Sequence, residues 1–357
     1  MIKRRKTRTV NVGGVMIGSD HPVRIQSMAK TDTRDVESTT SQINLLEEAG
    51  CEIVRVAVKN MAAAKAISSI KSGINLPLVA DIHYDHTLAL EAAKRGADKI
   101  RINPGNITKP HDVEKVIAEC AARNIPIRIG ANSGSVPDAG GKDLGAADAM
   151  VRGVLKYLEI FKKRKFDDII ISLKASDVPE TVEAYRKISG KCDYPLHLGV
   201  TAAGSKEMGT IKSAVGIGAL LLDGIGDTIR VSLTGEPVGE ISAAKKILTA
   251  SGIRSFGPTV ISCPTCGRCQ VDLVKMAGEV EKEIEKLCVS AENIPEKFTV
   301  AVMGCEVNGP GESSAADIGI AFGKGSGAIF RRGEIVKTVN VTEAVKVLME
   351  MIREDIG

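Results

Sequence analysis

Three cysteines in the last third of the chain have the spacing of metal ligands. Cys263 and Cys266 form a Cys-x-x-Cys pair, and Cys305 follows in the segment 303–312, which reads MGCEVNGPGE. Thiolates are common ligands of zinc and of iron–sulfur clusters, so this spacing indicates a metal centre. The pair alone does not decide which, because Cys-x-x-Cys also occurs in zinc ribbons and redox disulfides.

A fourth cysteine, Cys269, extends the pair to a C-x2-C-x2-C run like that of bacterial ferredoxins. Two ligand sets are therefore open: four cysteines, or Cys263, Cys266 and Cys305 with an oxygen ligand such as Glu312. Four thiolates suit electron transfer. A carboxylate ligand can instead be exchanged for a substrate oxygen, so that iron acts as a Lewis acid. A structural zinc site is the alternative to both.

A second group of candidate residues consists of cations inside apolar runs that have the character of buried strands. These cations are Arg55, Arg101, Arg128, Lys174 and Arg230. A buried charge is costly without a partner. Ion pairs with Asp81, Asp168 or Asp227 are one explanation, but the carboxylates within the strands are too few for five cations. We therefore expect a shared anion at one end of the strands.

Small and polar residues follow several of these runs. The segments 103–106, 130–135 and 199–204 supply amides, hydroxyls and glycines that let the backbone approach a ligand closely. His83 follows another run, two residues after Asp81. We expect His83 to donate to a phosphate or to act as an acid.

The elements that must position these residues alternate regularly between strand-like and helical stretches, which predicts a parallel sheet. The predicted strands are Val23–Met28, Ile53–Val58, Leu78–Ile82, Lys99–Asn103, Ile125–Ala131, Asp168–Lys174, Pro195–Thr201 and Asp227–Leu233. Eight such units match a closed (β/α)8 TIM barrel, whose sites lie at the carboxyl ends of the strands. A doubly wound open sheet is the alternative, because counting strands does not prove closure.

The pattern changes near residue 257, where a Cys-rich loop, a helix and Gly-rich strands follow. We predict a barrel over residues 1–252 and a smaller α+β iron–sulfur cluster domain over residues 258–357. An N-terminal hairpin is predicted at residues 9–17, around a Gly-Gly turn. The basic residues 3–8 before it are expected to form a solvated arm.

Composition excludes several classes of function. The chain has 357 residues and a net charge of +4, which gives no reason to expect a nucleic-acid partner. Its apolar runs are too short for a signal peptide or a membrane span, so we expect a cytoplasmic protein. In a reducing compartment, cysteines are thiols or metal ligands rather than disulfides. Those without ligand-like neighbours are interpreted as buried thiols: Cys51, Cys120, Cys192 and Cys288.

Taken together, several segments resemble the bacterial 4-hydroxy-3-methylbut-2-enyl diphosphate synthases. They are residues 25–28 (IQSM), 80–83 (ADIH), 101–106 (RINPGN), 128–132 (RIGAN), 172–176 (SLKAS), 226–233 (GDTIRVSL), 262–268 (SCPTCGR) and 304–312 (GCEVNGPGE). The resemblance implies an iron–sulfur oxidoreductase of the methylerythritol phosphate route to isoprenoids. Such an enzyme converts 2-C-methyl-D-erythritol 2,4-cyclodiphosphate to (E)-4-hydroxy-3-methylbut-2-enyl diphosphate with electrons from flavodoxin or ferredoxin.

The resemblance also implies roles for individual residues. A [4Fe-4S] cluster is expected on Cys263, Cys266, Cys305 and Glu312, with Cys269 as a bystander. Substrate-binding residues are expected at Arg55, Asp81, His83, Arg101, Arg128, Asn132, Lys174, Thr201 and Ser232. The expected catalytic residues are Glu312, His83 and Thr201. The family further implies a homodimer in which the cluster domain of one chain caps the barrel of the other.

The chain differs from the family at Ala202, where a Glu that assists proton transfer is usual. Loss of a catalytic acid commonly lowers a rate by about 10² to 10⁴. Glu207 or a water molecule is a candidate to take over that role. Two other functions stay open: a redox-neutral barrel enzyme acting on a phosphorylated substrate with a structural zinc domain, and an electron carrier that uses all four cysteines.

Overall fold

A computed structural model describes residues 2–134, 145–290, 297–306 and 315–356, without the side chains of residues 288–290. The chain divides into two compact units, Met1–Ile253 and Arg254–Gly357. No helix within the described ranges is long and apolar enough to cross a membrane.

The first unit alternates strands and helices after an N-terminal hairpin. Its strands are β1 (Val10–Val12), β2 (Val15–Ile17), β3 (Arg24–Met28), β4 (Ile53–Val58), β5 (Leu78–Ile82), β6 (Lys99–Ile102), β7 (Ile127–Asn132), β8 (Ile169–Lys174), β9 (His197–Leu198) and β10 (Thr228–Ile229). Its helices are α1 (Val36–Glu48), α2 (Met61–Ser72), α3 (His86–Lys94), α4 (Pro110–Ala122), α5 (Ala146–Lys163), α6 (Val178–Ser189), α7 (Lys206–Leu222) and α8 (Val238–Ala250).

Polar residues at the ends of the strand-to-helix loops determine where several helices begin. The side chain of Asp35 accepts a hydrogen bond from the Ser38 amide at the start of α1, and Asp177 accepts one from the Glu180 amide at the start of α6. Such caps satisfy backbone N–H groups that have no partner within the helix. The loops before these helices are therefore short and fixed at both ends.

The parallel strands of the first unit form a barrel. Their order is β8-β7-β6-β5-β4-β3-β10-β9, and a parallel bridge between Ile171 and Leu196 joins the two ends of that order. The prediction of a TIM barrel followed by a smaller α+β domain is confirmed, and the alternative of a doubly wound open sheet is wrong.

Strands β9 and β10 are shorter than predicted, because regular pairing covers only two residues in each. A Cβ atom at Gly199, just past β9, would lie 2.7 Å from the Arg230 carbonyl oxygen and 2.7 Å from Lys174 Nζ. The regular pairing of β9 therefore ends next to the Lys174 side chain.

The N-terminal hairpin covers the amino end of the barrel. β1 and β2 pair in antiparallel fashion, and their apolar side chains share a buried cluster with inward-facing strand residues. The buried members of this cluster are Val10, Val12, Ile17, Ile53, Val79 and Ile170. The carboxyl end of the barrel is thus the end left for a ligand.

Of the basic residues expected to form a solvated arm before the hairpin, Arg4 and Arg5 are instead partly buried, whereas Lys3 and Lys6 are exposed. Arg4 donates to Asp227 Oδ1 at 2.9 Å and to backbone carbonyl oxygens in two loops. Arg5 donates to the carbonyl oxygens of Ser189, Cys192 and Tyr194. Arg4 and Arg5 thus bind the start of the chain to the loops that lead into β9 and β10. Their hydrogen bonds stabilise the fold.

The described part of the second unit is a mixed sheet with two helices. Its elements are β11 (Thr259–Ser262), α9 (Leu273–Ser290), β12 (Thr299–Met303), β13 (Ile318–Phe322), β14 (Ser326–Arg331), β15 (Glu334–Asn340) and α10 (Ala344–Ile356). The strand order follows the chain; β11, β12 and β13 are parallel, and the later pairs are antiparallel. Val280 of α9, Phe322 of β13 and Leu348 of α10 are fully buried in its core.

The cysteines interpreted as buried thiols differ in exposure. Cys51 and Cys120 are buried, and burial raises the pKa of each thiol to about 12. Cys192 is only half-buried. The side chain of Cys288 lies outside the described part of the chain.

Candidate anion site in the barrel and cysteine site in the second unit

Cations line the interior of the barrel toward the carboxyl ends of its strands. Alternate residues of a strand share one face, and parallel pairing places Arg101 of β6 beside Asp81 of β5 and Arg128 of β7. Arg101 is 5% exposed, Arg128 1% and Lys174 8%. Together with Asp81, which is 4% exposed, four of the predicted binding residues therefore lie inside the barrel as buried, ionisable side chains.

Asp81 is shared by two of the cations. Its Oδ1 accepts from Arg101 Nη1 at 2.9 Å, and its Oδ2 lies 3.6 Å from Arg55 Nη1. Burial acts to raise the Asp81 pKa, but the charges of Arg55 and Arg101 hold this pKa well below its ordinary value. Burial lowers the pKa of Arg55 to about 10, and Asp81 opposes that shift. Asp81 and Arg55 are therefore both charged at neutral pH.

Arg128 and Lys174 have no carboxylate partner among the residues that the structure describes. Arg128 Nη1 lies 3.4 Å from Gln26 Oε1, and Arg128 Nε has no hydrogen-bond partner there. Burial, followed by repulsion from neighbouring cations, lowers the pKa of both residues well below the ordinary values. A buried guanidinium without an anion is unfavourable, so this part of the barrel is suited to a negatively charged ligand.

The imidazole of His197 is a hydrogen-bond partner of the Lys174 side chain. Its Nε2 lies 3.2 Å from Lys174 Nζ and its Nδ1 2.8 Å from Thr228 Oγ1. Burial, followed by the charges of Lys174 and Arg128, lowers the His197 pKa well below its ordinary value. A neutral imidazole that accepts from Lys174 at Nε2 carries its hydrogen on Nδ1 and donates to Thr228.

Two glycines make room for the cations. A Cβ atom at Gly130 would lie 2.6 Å from Arg101 Nε, and one at Gly199 would lie 2.7 Å from Lys174 Nζ. Contacts below 3.0 Å require one of the groups to move. Glycine at these two positions therefore lets long charged side chains fill a barrel that is usually packed with branched apolar ones.

The predicted polar residues lie where strands end. Asn132 is the last residue of β7, and Thr201 and Ser232 follow β9 and β10, all three half-buried. His83 is exposed beyond β5; its Nδ1 lies 3.0 Å from Asn106 Nδ2, and its Nε2 lies 3.6 Å from Asp81 Oδ2. The structure thus places His83 next to the carboxylate that joins Arg55 and Arg101.

Glu240 on α8 is a buried group that the sequence did not reveal. It is 1% exposed; its Oε2 accepts from Ser27 Oγ at 3.0 Å and its Oε1 from the Leu233 amide at 3.1 Å. Its Oε2 also lies 3.5 Å from Arg230 Nη2. Arg230 therefore has a carboxylate partner, unlike Arg128. A glutamate in an amphipathic helix looks like a surface residue, so no pattern pointed to it.

Lys99 was also missed as a buried cation, although a signal was present. It begins β6 two residues before Arg101, so both lie on one face of the strand. Lys99 is fully buried. Because residues two positions apart share one face of a strand, Lys99 could have been predicted to face inward with Arg101.

In the second unit, Cys263 and Cys305 follow the carboxyl ends of adjacent parallel strands. β11 and β12 pair with Ser262 opposite Val302, one residue before Cys263 and three before Cys305. Both cysteines are buried. The Gly304 amide donates to Cys263 Sγ at 3.3 Å.

Cys266 and Cys269 lie in the loop that follows β11. Cys266 is exposed, and hydrogen bonds from the Arg268 backbone and side chain lower the pKa of its thiol. Cys269 Sγ donates to the Val271 carbonyl oxygen at 3.2 Å and packs against Gly304, where a Cβ atom would lie 2.5 Å from it. Glu312 lies outside the described residues.

The cysteines do not converge on one point. Among the described side chains, no group of three or more His, Cys, Asp or Glu could hold a metal ion. A structural zinc draws four ligands to a single ion, with sulfur at about 2.3 Å. An iron–sulfur cluster instead accepts its protein ligands at several separate irons. Cys263 and Cys305 lie after adjacent strand ends and Cys266 lies on the loop after β11, so the three thiols could bind at separate irons of one cluster.

Comparisons with known proteins match both units. The family model described as the GcpE TIM-barrel domain matches residues 7–245, and the GcpE protein C-terminal domain matches residues 259–354. This chain belongs to the GcpE family. The resemblance that the sequence motifs predicted is confirmed.

Relatives of this GcpE chain match over nearly its full length. A protein of Thermodesulfovibrio yellowstonii is 53% identical over 99% of this chain and 100% of its own. One of Clostridium perfringens is 54% identical over 98% of this chain and 99% of its own. Both are named 4-hydroxy-3-methylbut-2-en-1-yl diphosphate synthase (flavodoxin). Among solved structures, dihydropteroate synthase of Xanthomonas albilineans in complex with 7,8-dihydropteroate has a TM-score of 0.50 and 14% identity, covering 68% of this chain and 96% of that one. That likeness concerns the fold alone.

In this GcpE chain, Ala202 lies in the loop after β9, next to Thr201. It is exposed and adopts φ +51°, a conformation that alanine rarely takes. The Thr201 amide donates to the Ala175 carbonyl oxygen at 3.0 Å, and the Thr234 amide donates to the Gly204 carbonyl oxygen at 3.0 Å. These bonds fix the loop on both sides of Ala202.

Proposed function

We propose that this chain opens the ring of 2-C-methyl-D-erythritol 2,4-cyclodiphosphate and removes a hydroxyl, giving (E)-4-hydroxy-3-methylbut-2-enyl diphosphate. The reaction takes up two electrons and two protons and releases one water molecule. The observation that carries the proposal is the pair of buried cations Arg128 and Lys174, which lack a carboxylate in the described part of a GcpE barrel. A diphosphate supplies the charge that this site lacks.

The barrel residues bind the diphosphate in this proposal. Arg55, Arg101 and Arg128 present guanidinium groups, which suit bidentate bonds to phosphate oxygens, and Lys174 adds a point charge. Asp81 keeps Arg55 and Arg101 in place, because its two oxygens are directed at them. The carbon skeleton then extends toward the loops that carry Asn132, Thr201 and Ser232, where hydroxyls and amides can orient it.

Proton transfer is assigned to the edge of this site. His83 lies 3.6 Å from Asp81 through Nε2 and is exposed beyond β5. From this position beside the buried carboxylate, His83 can donate a proton to a substrate oxygen. The neighbouring Ala202 has no group that can transfer a proton. Thr201 supplies a hydroxyl at this position of the loop.

We propose Cys263, Cys266, Cys305 and Glu312 as the ligands of a [4Fe-4S] cluster. Two features of the described residues fit a cluster: the amide that donates to Cys263 Sγ, and the Arg268 contacts that lower the Cys266 pKa. When bound, the cluster supplies the electrons and a Lewis-acidic iron. Cys269 donates to a carbonyl oxygen and stays outside the ligand set. Reduced flavodoxin is the proposed donor, in line with the names of the relatives, and ferredoxin is the alternative.

A cytoplasmic homodimer is the proposed assembly. Helix α7 presents an exposed apolar stripe at helical spacing, formed by Met208, Ile211, Val215 and Leu222. Exposed apolar stripes of this kind commonly mark protein interfaces. Light scattering of the full chain should give a dimer mass that Val215→Lys reduces to that of a monomer.

Anaerobic turnover tests the proposed reaction. The full chain, purified without oxygen, is mixed with the cyclic diphosphate and reduced flavodoxin, and the product and the iron and acid-labile sulfide content are measured. We expect product in proportion to the electrons supplied, and iron with sulfide. Zinc without iron or sulfide, together with no product, would instead support the redox-neutral barrel enzyme.

A further inference from the structure

Lys99 is a buried cation that the proposed function leaves without a role. Its side chain is fully buried, and its Nζ lies 3.4 Å from Gln26 Oε1. The same oxygen lies 3.4 Å from Arg128 Nη1. No carboxylate of the described residues forms an ion pair with Lys99. Two cations therefore share one neutral acceptor in the middle of the barrel.

The groups around Lys99 are mostly positive. Those that face it or lie in the next layer are Arg55 on β4, Asp81 on β5, Arg101 on β6, Arg128 on β7, His197 on β9 and the adjacent Asp98. Of the two carboxylates, Asp81 is bound by Arg101, and Asp98 is bound by Lys71 Nζ at 2.8 Å. Burial, followed by repulsion from Arg128 and Arg55, lowers the Lys99 pKa well below its ordinary value.

Among the neighbouring cations, Lys99 can lose its proton easily and the arginines cannot. A guanidinium stays protonated in proteins, whereas a lysine buried without a partner can become neutral. A neutral Lys99 relieves repulsion on Arg128 without moving any atom of the barrel. The Gln26 oxygen can accept a hydrogen bond from Lys99 in both its neutral and its charged state.

We propose that Lys99 is uncharged in the absence of an anion and takes up one proton when a diphosphate binds at Arg101 and Arg128. Lys99 is then a positioning residue of the anion site. The inference rests on the proposed diphosphate ligand. The negative charge of that ligand offsets the repulsion from Arg128 and attracts an ammonium group. The proton comes from solvent and forms one N–H bond at Nζ, and no other bond changes. Anion binding and proton uptake are then linked.

Calorimetry of the full, anaerobically purified chain with inorganic pyrophosphate tests this linkage. Titrations near pH 8 in two buffers with different heats of ionisation give the number of protons taken up per pyrophosphate. We expect Lys99→Met to take up about one proton fewer than the wild type. Lys115→Met, which changes a half-exposed surface lysine, should match the wild type. Protonation of pyrophosphate itself is common to all three proteins and cancels in the differences.

The outcomes separate this inference from the function on which it rests. Equal proton uptake by the wild type and Lys99→Met overturns the role of Lys99 and leaves the anion site intact. Pyrophosphate that binds to none of the proteins overturns the anion site, and with it the inference.

Stability measurements without a ligand give a second test. The Lys99 pKa is lower in the folded protein than in the unfolded chain, where it is about 10.4. Between these two pKa values the unfolded chain binds more protons, so the free energy of unfolding rises with pH. Lys99→Met should remove part of this rise while remaining folded, because an unbranched apolar side chain replaces a buried amine. Parallel stability curves for the two proteins would overturn the inference.

Discussion

The barrel site and the cysteine site obtain their geometry in different ways. In the barrel, the strands position the charged side chains, and ion pairs hold some of them, as Asp81 does for Arg55 and Arg101. In the second unit, Cys263 and Cys305 follow two paired strands, whereas Cys266 lies exposed on a loop. We therefore expect the proposed anion site of the barrel to be preformed. We expect the cysteine site to need its bound group to bring the exposed Cys266 into place.

Removal of one cysteine ligand should have the largest effect. Cys305→Ala is expected to lose its iron and acid-labile sulfide and to lower turnover by more than about 100-fold, since even changes around metal ligands cost about 10- to 100-fold. Metal analysis and anaerobic assays measure both quantities. Cys269→Ala is the matched control and should keep its iron. If this control also loses iron, Cys269 is a ligand and the proposed set is wrong.

Loss of the shared carboxylate should destabilise the barrel even without a ligand. Asp81→Asn leaves Arg55 and Arg101 without their anion, and we expect the free energy of unfolding to fall by about 3–5 kcal/mol. Pyrophosphate should restore part of this loss, because it replaces the missing charge. Asp223→Asn, which removes an exposed pair with Arg186, should cost about 1 kcal/mol or less. A similar fall in the free energy of unfolding in both variants would show that Arg55 and Arg101 do not depend on Asp81 for their stability.

Filling the space beside Lys174 should have a smaller effect. Gly199→Ala places a Cβ atom 2.7 Å from Lys174 Nζ and from a backbone oxygen, and crowding of this kind costs about 1–3 kcal/mol. Chemical denaturation should show this loss, and pyrophosphate affinity should fall with it. Gly218→Ala on α7, where a Cβ atom meets nothing within 4 Å, should stabilise the protein slightly. Unchanged stability and affinity in Gly199→Ala would mean that the Lys174 side chain can move away from the added methyl group without cost, which would contradict this prediction.

The sequence predicted the parts of the site that follow strand periodicity. Arg55, Arg101, Arg128 and Lys174 were found because a cation in an apolar run is unusual, and the alternation of elements predicted the barrel. Glu240 could not be predicted, since its burial depends on how α8 packs against the barrel. The roles of Arg4 and Arg5 were also missed, because their acceptors are backbone carbonyl oxygens far along the chain. The early end of β9 was not predicted either, because the apolar pattern continues to Val200.

Binding of inorganic pyrophosphate to the full chain tests the claim that unpaired buried cations form the anion site. Arg128→Met removes such a cation, whereas Arg123→Met removes an arginine that is 43% exposed and paired with Glu119. We expect Arg128→Met to weaken binding by about 100-fold or more, which corresponds to the 2–5 kcal/mol lost when a buried charge partner is removed. Arg123→Met should bind as the wild type does. Equal affinity in the two variants would contradict the account.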